Sequence, residues 1–153
     1  MDLAKLIEQK ADELGFSLFG ITGPAPLENY SIFENWLSRQ FYGEMQYLGS
    51  PHSRTCRKNP SLLFSGCKSI IVIGLPYSHA KGTVTNPGRI ALFAQQPDYH
   101  QTIKQKLNAL FQYILNETDA NTHGYVCCDT EPVLEKELAQ RAGLGWIGKN
   151  SLL

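Results

Sequence analysis

The chain has 153 residues, with 14 basic and 14 acidic side chains and a formal net charge of zero. This length predicts one domain whose core needs no disulfide bonds, and the zero net charge excludes a basic field over the whole chain, although a local basic patch stays compatible with it. The amphipathic, acid-containing N-terminus is neither a signal peptide nor a membrane span, so we expect a cytoplasmic protein with reduced cysteines.

The first half of the chain predicts two helices and two strands. The helices show apolar residues at helical spacing, and the strands are short apolar runs. The second strand is a continuous run rich in Ile and Val, which is typical of a strand covered on both faces. In chain order the elements are a helix between the capping residue Asp2 and Gly15, a strand at 17–23, a helix at 26–41 and a strand at 68–75.

The second half begins with a loop at 76–88 that is rich in Gly, Pro, Thr and Asn, a kind of loop that is often functional or mobile. A long helix follows from Asp98, which forms a capping-box pattern with the glutamine three residues later. Residues 123–129 predict a strand, and residues 131–142 predict a helix opened by a proline. Because strands and helices alternate, the sequence predicts an α/β or mixed α+β fold, without fixing the order of the strands.

Three glycines in GLGWIGKN (143–150) have the G-x-G-x-x-G spacing of a dinucleotide-binding loop. That motif has to follow a strand and open a helix, so that backbone amides face the pyrophosphate. Here it follows a predicted helix, which excludes a Rossmann site, and Gly143 stands where a glycine commonly ends a helix. Two interpretations remain. The segment is a turn with glycines at positive φ and Trp146 packed on the core, or a loop whose backbone approaches a large ligand, with Lys149 and Asn150 as polar contacts.

Three further residues are candidates for chemistry, each with a plain structural alternative. Asp129 is expected at the edge of the sheet where ligands gather, but an aspartate before a helix also serves as its cap. As a general acid near neutral pH it would need to be desolvated, for example by a bulky cofactor. His100 is either a surface hydrogen-bonding residue or a ligand or catalytic group, and Arg57 is either solvated or an anion contact. No metal-binding spacing such as H-E-x-x-H is present.

Several motifs, in the same order, resemble the epoxyqueuosine reductase family over nearly the whole chain. They are GEMQYL (43–48), RKNPSLLFSGCKSIIVIGLPY (57–77), PDYHQTIKQKL (97–107) and DTEPVLEKELAQRAGLGWIGKNSLL (129–153), in which AGLGWIGKN is quite specific. The resemblance implies a nitroreductase-like sandwich, with a central mixed sheet flanked by helices, as in the cobalamin-binding domains of reductive dehalogenases. It also implies reduction of the epoxide of epoxyqueuosine, in the anticodon of a tRNA, to the alkene of queuosine with cobalamin as cofactor.

The same resemblance implies roles for particular residues. Asp129 would be the proton donor to the opening epoxide oxygen, while reduced cobalt would act at carbon. A carboxylic acid beside an apolar macrocycle suits this task, because burial favours its protonated form. The residues implied to line the cofactor cavity are Arg57, Tyr99, His100, Gly145, Trp146, Lys149 and Asn150.

Three departures from the family pattern bear on activity. The chain has none of the cysteine runs that bind two [4Fe-4S] clusters in the family's following ferredoxin-like domain. We therefore expect residues 1–153 to be a single cobalamin-binding catalytic domain, truncated before the electron relay, that needs an electron-donor protein or the missing half. Leu92 replaces a usual arginine. Glu131 replaces a usual small residue, and this added acid could favour protonated Asp129 or hinder the cofactor.

Three functions stay open on the sequence. The first is the catalytic domain of an epoxyqueuosine reductase, as a fragment, a truncated gene product or one subunit of a split enzyme, with tRNA and an electron donor as partners and no membrane. The second is a non-enzymatic cobalamin-binding or degenerate domain. The third is a small flavin-type reductase, which only an analogy of fold suggests.

Overall fold

The computed structural model describes residues 2–76 and 98–153. The predicted loop at 76–88, except for Pro76, and the departure at Leu92 lie outside the described residues. None of the described helices is at once long and apolar enough to cross a membrane. In the described residues the α-helices are Leu3–Glu13 (α1), Tyr30–Ser38 (α2), Pro51–Lys58 (α3), Tyr99–Glu117 (α4) and Glu135–Arg141 (α5), the strands are Leu18–Thr22 (β1) and Ile70–Gly74 (β2), and short 3-10 turns cover Gln46–Gly49 and Pro60–Leu62.

The first helix begins and ends as its sequence predicts. The side chain of Asp2 accepts a hydrogen bond from the Ala4 N–H at 3.2 Å, which satisfies a free donor of the first turn. At the other end Gly15 has φ +85°, and the N–H groups of Gly15 and Phe16 bond to carbonyls of the last turn. This Schellman ending turns Phe16 into the core.

The described sheet has two strands, β1 and β2, which pair antiparallel with Leu18 opposite Gly74 and Thr22 opposite Ile70. The buried core lies between this sheet, α1 and α4, where each fully buried aliphatic or aromatic side chain contributes roughly 1.5–3 kcal/mol. Its buried members are Ile7, Ala11, Phe16 and Leu110, and Phe19, Ile71 and Ile73 of the strands pack against them.

The end of α5 lies on the opposite face of the sheet. Successive residues of a strand point to opposite faces, and while Phe19 faces the core, Gly20 faces α5. A β-carbon on Gly20 would lie 2.7 Å from the Ala142 carbonyl oxygen and 3.0 Å from the Leu144 side chain. Only glycine leaves room for this contact. Helices therefore cover both faces of the small sheet, and every residue of β2 is half-buried.

The mixed helix and strand composition agrees with the predicted class, whereas one predicted strand is wrong. Residues 123–129, predicted as this strand, form no strand in the described structure. Gly124 lies against the ring of Phe111 on α4, and the Cys128 N–H bonds to the Glu131 carboxylate at 2.9 Å. Both contacts take the place of a strand neighbour, so tertiary packing overrides the local β preference. The nitroreductase-like sandwich with a central mixed sheet stays a prediction.

Two helices differ from what the sequence predicts. α5 begins at Glu135, so the residues after Pro132 form a turn and the proline does not open the helix. α3 has no counterpart among the sequence-based expectations. Its start signal is nevertheless present, because the Ser50 hydroxyl accepts the Ser53 N–H at 3.2 Å and Pro51 takes the first helical position.

Arg141, the last residue of α5, fastens this helix to the segment that follows β1. Its guanidinium donates to the Thr22 hydroxyl at 3.1 Å and to the carbonyl oxygens of Gly23, Ala25 and Pro26. A lysine ammonium cannot reproduce these contacts, because it lacks the planar fork of donors.

We expect Arg141→Lys to lower the free energy of unfolding by about 1–3 kcal/mol, since several charge-assisted hydrogen bonds are lost together. Urea denaturation measures the change. The matched control is Arg39→Lys, because Arg39 lies over the Phe41 ring at 5.7 Å on the surface and should cost less than about 0.5 kcal/mol. Equal losses in the two variants would contradict the role of Arg141.

Candidate functional site

Four polar side chains from two segments that are distant in the sequence lie together, and we call them the Asp129 cluster: Asp98, Tyr99, His100 and Asp129. The Tyr99 hydroxyl donates to Asp129 Oδ2 at 2.9 Å, and His100 Nε2 lies 3.2 Å from the same oxygen. His100 Nδ1 lies 2.7 Å from Asp98 Oδ1. The structure thus brings together three predicted site residues and adds Asp98, which the sequence identifies only as a helix cap.

The start of α4 places two of these side chains. Asp98 is the N-cap, and its Oδ1 accepts the His100 N–H at 2.9 Å. The capped first turn then presents Tyr99 and His100 side by side, with their rings stacked at 4.1 Å between centroids. One carboxylate oxygen therefore both caps the start of α4 and contacts the imidazole of His100.

A short turn with an uncommon backbone presents Asp129. Its φ is +63°, a region that non-glycine residues seldom adopt and that Asp and Asn tolerate best. The Thr130 N–H bonds to the Cys128 carbonyl at 2.7 Å and closes the turn around Asp129. Strained backbone of this kind collects at functional sites, which makes Asp129 a functional candidate on conformation as well as on chemistry.

Two glutamates accept backbone N–H groups of this turn. Glu131 accepts the Cys128 N–H and Glu135 accepts the Asp129 N–H, each at 2.9 Å. Glu131 thus has a local role in the loop. No pattern in the sequence reveals the role of Glu135, because its contact depends on the fold of the turn.

The interpretation of Asp129 as the cap of α5 is wrong. The N-cap position of α5 is Leu134, and no side chain caps it. The Asp129 carboxylate instead contacts Tyr99 and His100 of α4, and its side chain is 59% exposed. It is therefore accessible to a ligand from solvent.

The side chains of the cluster shift one another's pKa. The Asp98 carboxylate, and after it Asp129, raises the pKa of His100 above its ordinary 6.5. His100 in turn lowers the pKa of Asp98. The hydrogen bond to Asp129 raises the pKa of the Tyr99 phenol to about 12, so this hydroxyl stays a proton-bearing donor at neutral pH.

Arg57 lies in a different contact. It is half-buried in the last turn of α3, where it donates to the Ser53 hydroxyl, and its guanidinium lies 5.4 Å from the centre of the Phe33 ring on α2. Burial lowers its pKa. The solvated interpretation is therefore wrong, and the contacts described for Arg57 join α2 to α3 without reaching the Asp129 cluster.

The predicted glycine turn at 143–150 ends α5 as expected but does not pack Trp146 on the core. Gly143 has φ +80°, and the N–H groups of Gly143 and Leu144 bond to carbonyls of the last helical turn at 3.0 Å. In this Schellman ending the residue after the glycine makes the apolar contact. Leu144 accordingly lies against Gly20. Trp146 is 79% exposed, so its predicted core packing is wrong.

The rest of this loop folds back on itself at the surface. The Gly148 N–H bonds to the Leu152 carbonyl at 2.8 Å, and Asn150 Oδ1 accepts the Leu152 N–H at 3.3 Å. Lys149 and Asn150 are exposed, and Gly145 is half-buried beside the chain end. The second interpretation, a loop that meets a ligand, stays a prediction.

Two open grooves of about 530 Å³ and 500 Å³ run along α2. Their walls come from α2 and the segments beside it, including Tyr30, Glu34, Trp36 and Phe41. No residue of the Asp129 cluster lines either groove, so the candidate site is the exposed cluster and not a groove of α2.

Comparison with known proteins places this chain beside one group. A family profile described as "Epoxyqueuosine reductase QueG, DUF1730" matches residues 57–130. The epoxyqueuosine reductase of Leadbetterella byssophila is 37% identical over 153 residues, covering 99% of this chain and 50% of that protein. The chain spans about half the length of the curated relatives it matches.

Solved structures agree. The epoxyqueuosine reductase of Streptococcus thermophilus superposes with a TM-score of 0.84 at 25% identity, covering 100% of this chain and 42% of that one. An epoxyqueuosine reductase crystallised with an epoxyqueuosine-modified tRNA stem loop superposes with a TM-score of 0.67 at 23% identity, covering 99% of this chain and 42% of that one.

The positive φ of Asp129 makes a stability prediction. We expect Asp129→Gly to be more stable than Asp129→Ala by about 1 kcal/mol, because both lack the carboxylate and only alanine brings a β-carbon into the left-handed region. Urea denaturation compares the two. The same pair at Thr130, which has no positive φ, should give the opposite order, and the same order at both positions would contradict the strained turn.

The Asp98–His100 pair predicts a window of added stability. The pKa of His100 is raised from 6.5, so its contribution is complete below about pH 6.5 and is lost as the pH rises through the folded-state pKa. The pKa of Asp98 is lowered from 3.8, so its contribution is complete above about pH 4 and is lost at lower pH. We expect His100→Gln to reduce the free energy of unfolding more at about pH 5.5 than at about pH 8.5. An equal reduction at both would contradict the ion pair.

Proposed function

We propose, since this chain is related along its whole length to part of the epoxyqueuosine reductases, that it binds cobalamin and protonates the epoxide of epoxyqueuosine in tRNA during its reduction. The observation that carries the proposal is the presentation of Asp129. Its carboxylate is exposed and contacts Tyr99 and His100. Its backbone has a positive φ, in a turn whose N–H groups bond to two glutamates. Asp129 does not cap α5, and an exposed carboxyl group beside a phenol and an imidazole is suited to donate a proton to an incoming ligand.

The reaction sets the requirements on the protein. Converting an epoxide to an alkene consumes two electrons and two protons, and the oxygen leaves as water. Asp129 donates a proton to that oxygen, and Tyr99 stabilises the carboxylate that remains by its hydrogen bond to Oδ2. Bound cobalamin, in its reduced form, would supply the electrons at carbon.

The exposed side chains fit such a cofactor in type. The corrin is a broad apolar ring that carries amide groups at its edge, so it calls for a flat apolar contact beside polar side chains. Trp146 offers the first, and Lys149, Asn150 and the backbone at Gly145 offer the second. Covering Asp129 with an apolar ring would remove water from its carboxylate and favour the protonated acid that the reaction needs.

Further features belong to the same proposal. Arg57 is proposed to reach the cofactor from α3. The covering of β1 and β2 by helices on both faces supports a nitroreductase-like sandwich like that of reductive dehalogenases. tRNA is proposed as substrate partner because a related structure holds an epoxyqueuosine-modified stem loop, and a cytoplasmic location would follow from that substrate.

The source of electrons is proposed to lie outside the described site. The chain's four cysteines are free thiols, and Cys127 has its pKa raised to about 12 by burial, so it is a poor metal ligand and nucleophile. We assign the electron supply to [4Fe-4S] clusters in a ferredoxin-like part of the enzyme, or to a separate donor protein.

Asp129→Asn separates binding from chemistry. We expect it to bind cob(II)alamin with nearly unchanged affinity and to lose epoxide reduction in the presence of an electron donor, because the amide keeps the shape but cannot donate the proton. Visible absorption follows binding, and conversion to queuosine follows activity. No spectral change with a folded wild-type chain would contradict the proposal, and a flavin spectrum in the purified protein would indicate a flavin reductase.

Trp146→Ala tests the cofactor contact. We expect the dissociation constant for cob(II)alamin to rise on the order of tenfold, since losing a large aromatic contact costs roughly 1–2 kcal/mol. The control is Ile32→Ala on α2, because Ile32 is also strongly exposed, at 67%. Equal effects of the two substitutions, or none at Trp146, would remove this loop from the cofactor site.

A further inference from the structure

His100 lies between two carboxylates, and each of its ring nitrogens contacts a different one. Nδ1 is 2.7 Å from Asp98 Oδ1, and Nε2 is 3.2 Å from Asp129 Oδ2. A carboxylate accepts hydrogen bonds, so both contacts are satisfied together only when both nitrogens carry protons. The geometry therefore favours the imidazolium form of His100.

We propose that Asp98 is a positioning residue that holds His100 as an imidazolium, and that His100 returns a proton to Asp129 after Asp129 has protonated the substrate. This inference rests on the proposed role of Asp129 as proton donor. It adds a proton supply, which the reaction requires because each turnover consumes two protons.

The transfer is balanced within the cluster. Once Asp129 has lost its proton, the Nε2–H bond of His100 breaks and an O–H bond forms at Asp129 Oδ2. No electrons are transferred, and the charges change from two carboxylates with one imidazolium to one carboxylate with a neutral imidazole. The other proton stays on Nδ1, in the hydrogen bond to Asp98. Water then reprotonates Nε2, since the His100 side chain is 34% exposed.

Tyr99 is not the source of this proton. Its phenol also contacts Asp129 Oδ2, but the pKa of about 12 keeps the proton on the phenol oxygen at neutral pH. Tyr99 thus orients the carboxylate, and His100 is the group with a transferable proton. Among residues 2–76 and 98–153, the titratable groups that contact His100 are Asp98 and Tyr99 beside it in the chain and Asp129 on the facing loop.

A metal site does not explain the arrangement. Within residues 2–76 and 98–153, no three His, Cys, Asp or Glu side chains converge as a ligand set. Asp98, His100 and Asp129 form instead a linear series with the imidazole in the middle. A linear series of this kind suits the movement of a proton.

Asp98 also caps α4, and the test has to separate its charge from its capping role. The same Oδ1 accepts the His100 N–H at 2.9 Å. Asparagine caps a helix about as well as aspartate but carries no charge. Asp98→Asn therefore keeps the helix start and removes the counter-ion of the imidazole. Asp2→Asn is the matched control, because Asp2 caps α1 in the same way and lies outside the cluster.

The first test is NMR of the imidazole nitrogens in the full chain without cofactor, with His100 assigned by its loss in His100→Gln. We expect Asp98→Asn to shift the titration midpoint of His100 down by about one pH unit, and Asp2→Asn to leave it unchanged. In the wild type, the neutral form should carry its proton on Nδ1. An unchanged midpoint in Asp98→Asn, or a neutral form protonated on Nε2, would overturn the positioning role.

The second test is turnover with a reduced electron donor and cobalamin. We expect Asp98→Asn to lower kcat on the order of tenfold, with unchanged cob(II)alamin binding and a pH–rate profile that falls at lower pH than in the wild type. Wild-type kcat and profile in Asp98→Asn, beside an inactive Asp129→Asn, would overturn the relay alone. Full activity of Asp129→Asn would overturn the proposed function and the relay with it.

Discussion

The contact between α5 and β1 is the constraint on which the candidate site depends. Gly20 lets the Ala142 carbonyl and Leu144 lie directly on the strand, and Arg141 fastens the helix end to the carbonyls that follow β1. At the start of the same helix, Glu135 accepts the N–H of Asp129. One short helix, fixed on the sheet, therefore sets the turn that carries Asp129 at one end and the loop that carries Trp146 at the other.

The chemistry of the site follows from combining that turn with the start of α4. Neither segment alone forms a site, because Asp129 would be an exposed carboxylate and Asp98 an ordinary helix cap. Together they place the His100 imidazole between two carboxylates, and the Tyr99 phenol donates to Asp129 Oδ2. The cluster is open to water, so its interactions are screened in the free protein. Closure by a large apolar ligand would strengthen each of them.

The sequence predicts those features that depend on local patterns. The caps at Asp2 and Asp98 and the glycine ends at Gly15 and Gly143 are confirmed, because each is decided within a few residues. The resemblance also selects Tyr99, His100 and Asp129, which the structure brings together. The predictions that fail depend on packing between distant segments. Gly124 packs against Phe111 of α4 in a segment predicted as a strand, and Trp146 stays exposed because Leu144 takes the apolar contact.

The most direct test of this account is a crystal structure of the chain with bound cobalamin. We predict that the corrin contacts the indole of Trp146, beyond the end of α5, and that the Asp129 carboxylate, before its start, faces the ring and still contacts Tyr99 and His100. A corrin bound along the grooves of α2, with Asp129 remaining in solvent, would contradict it.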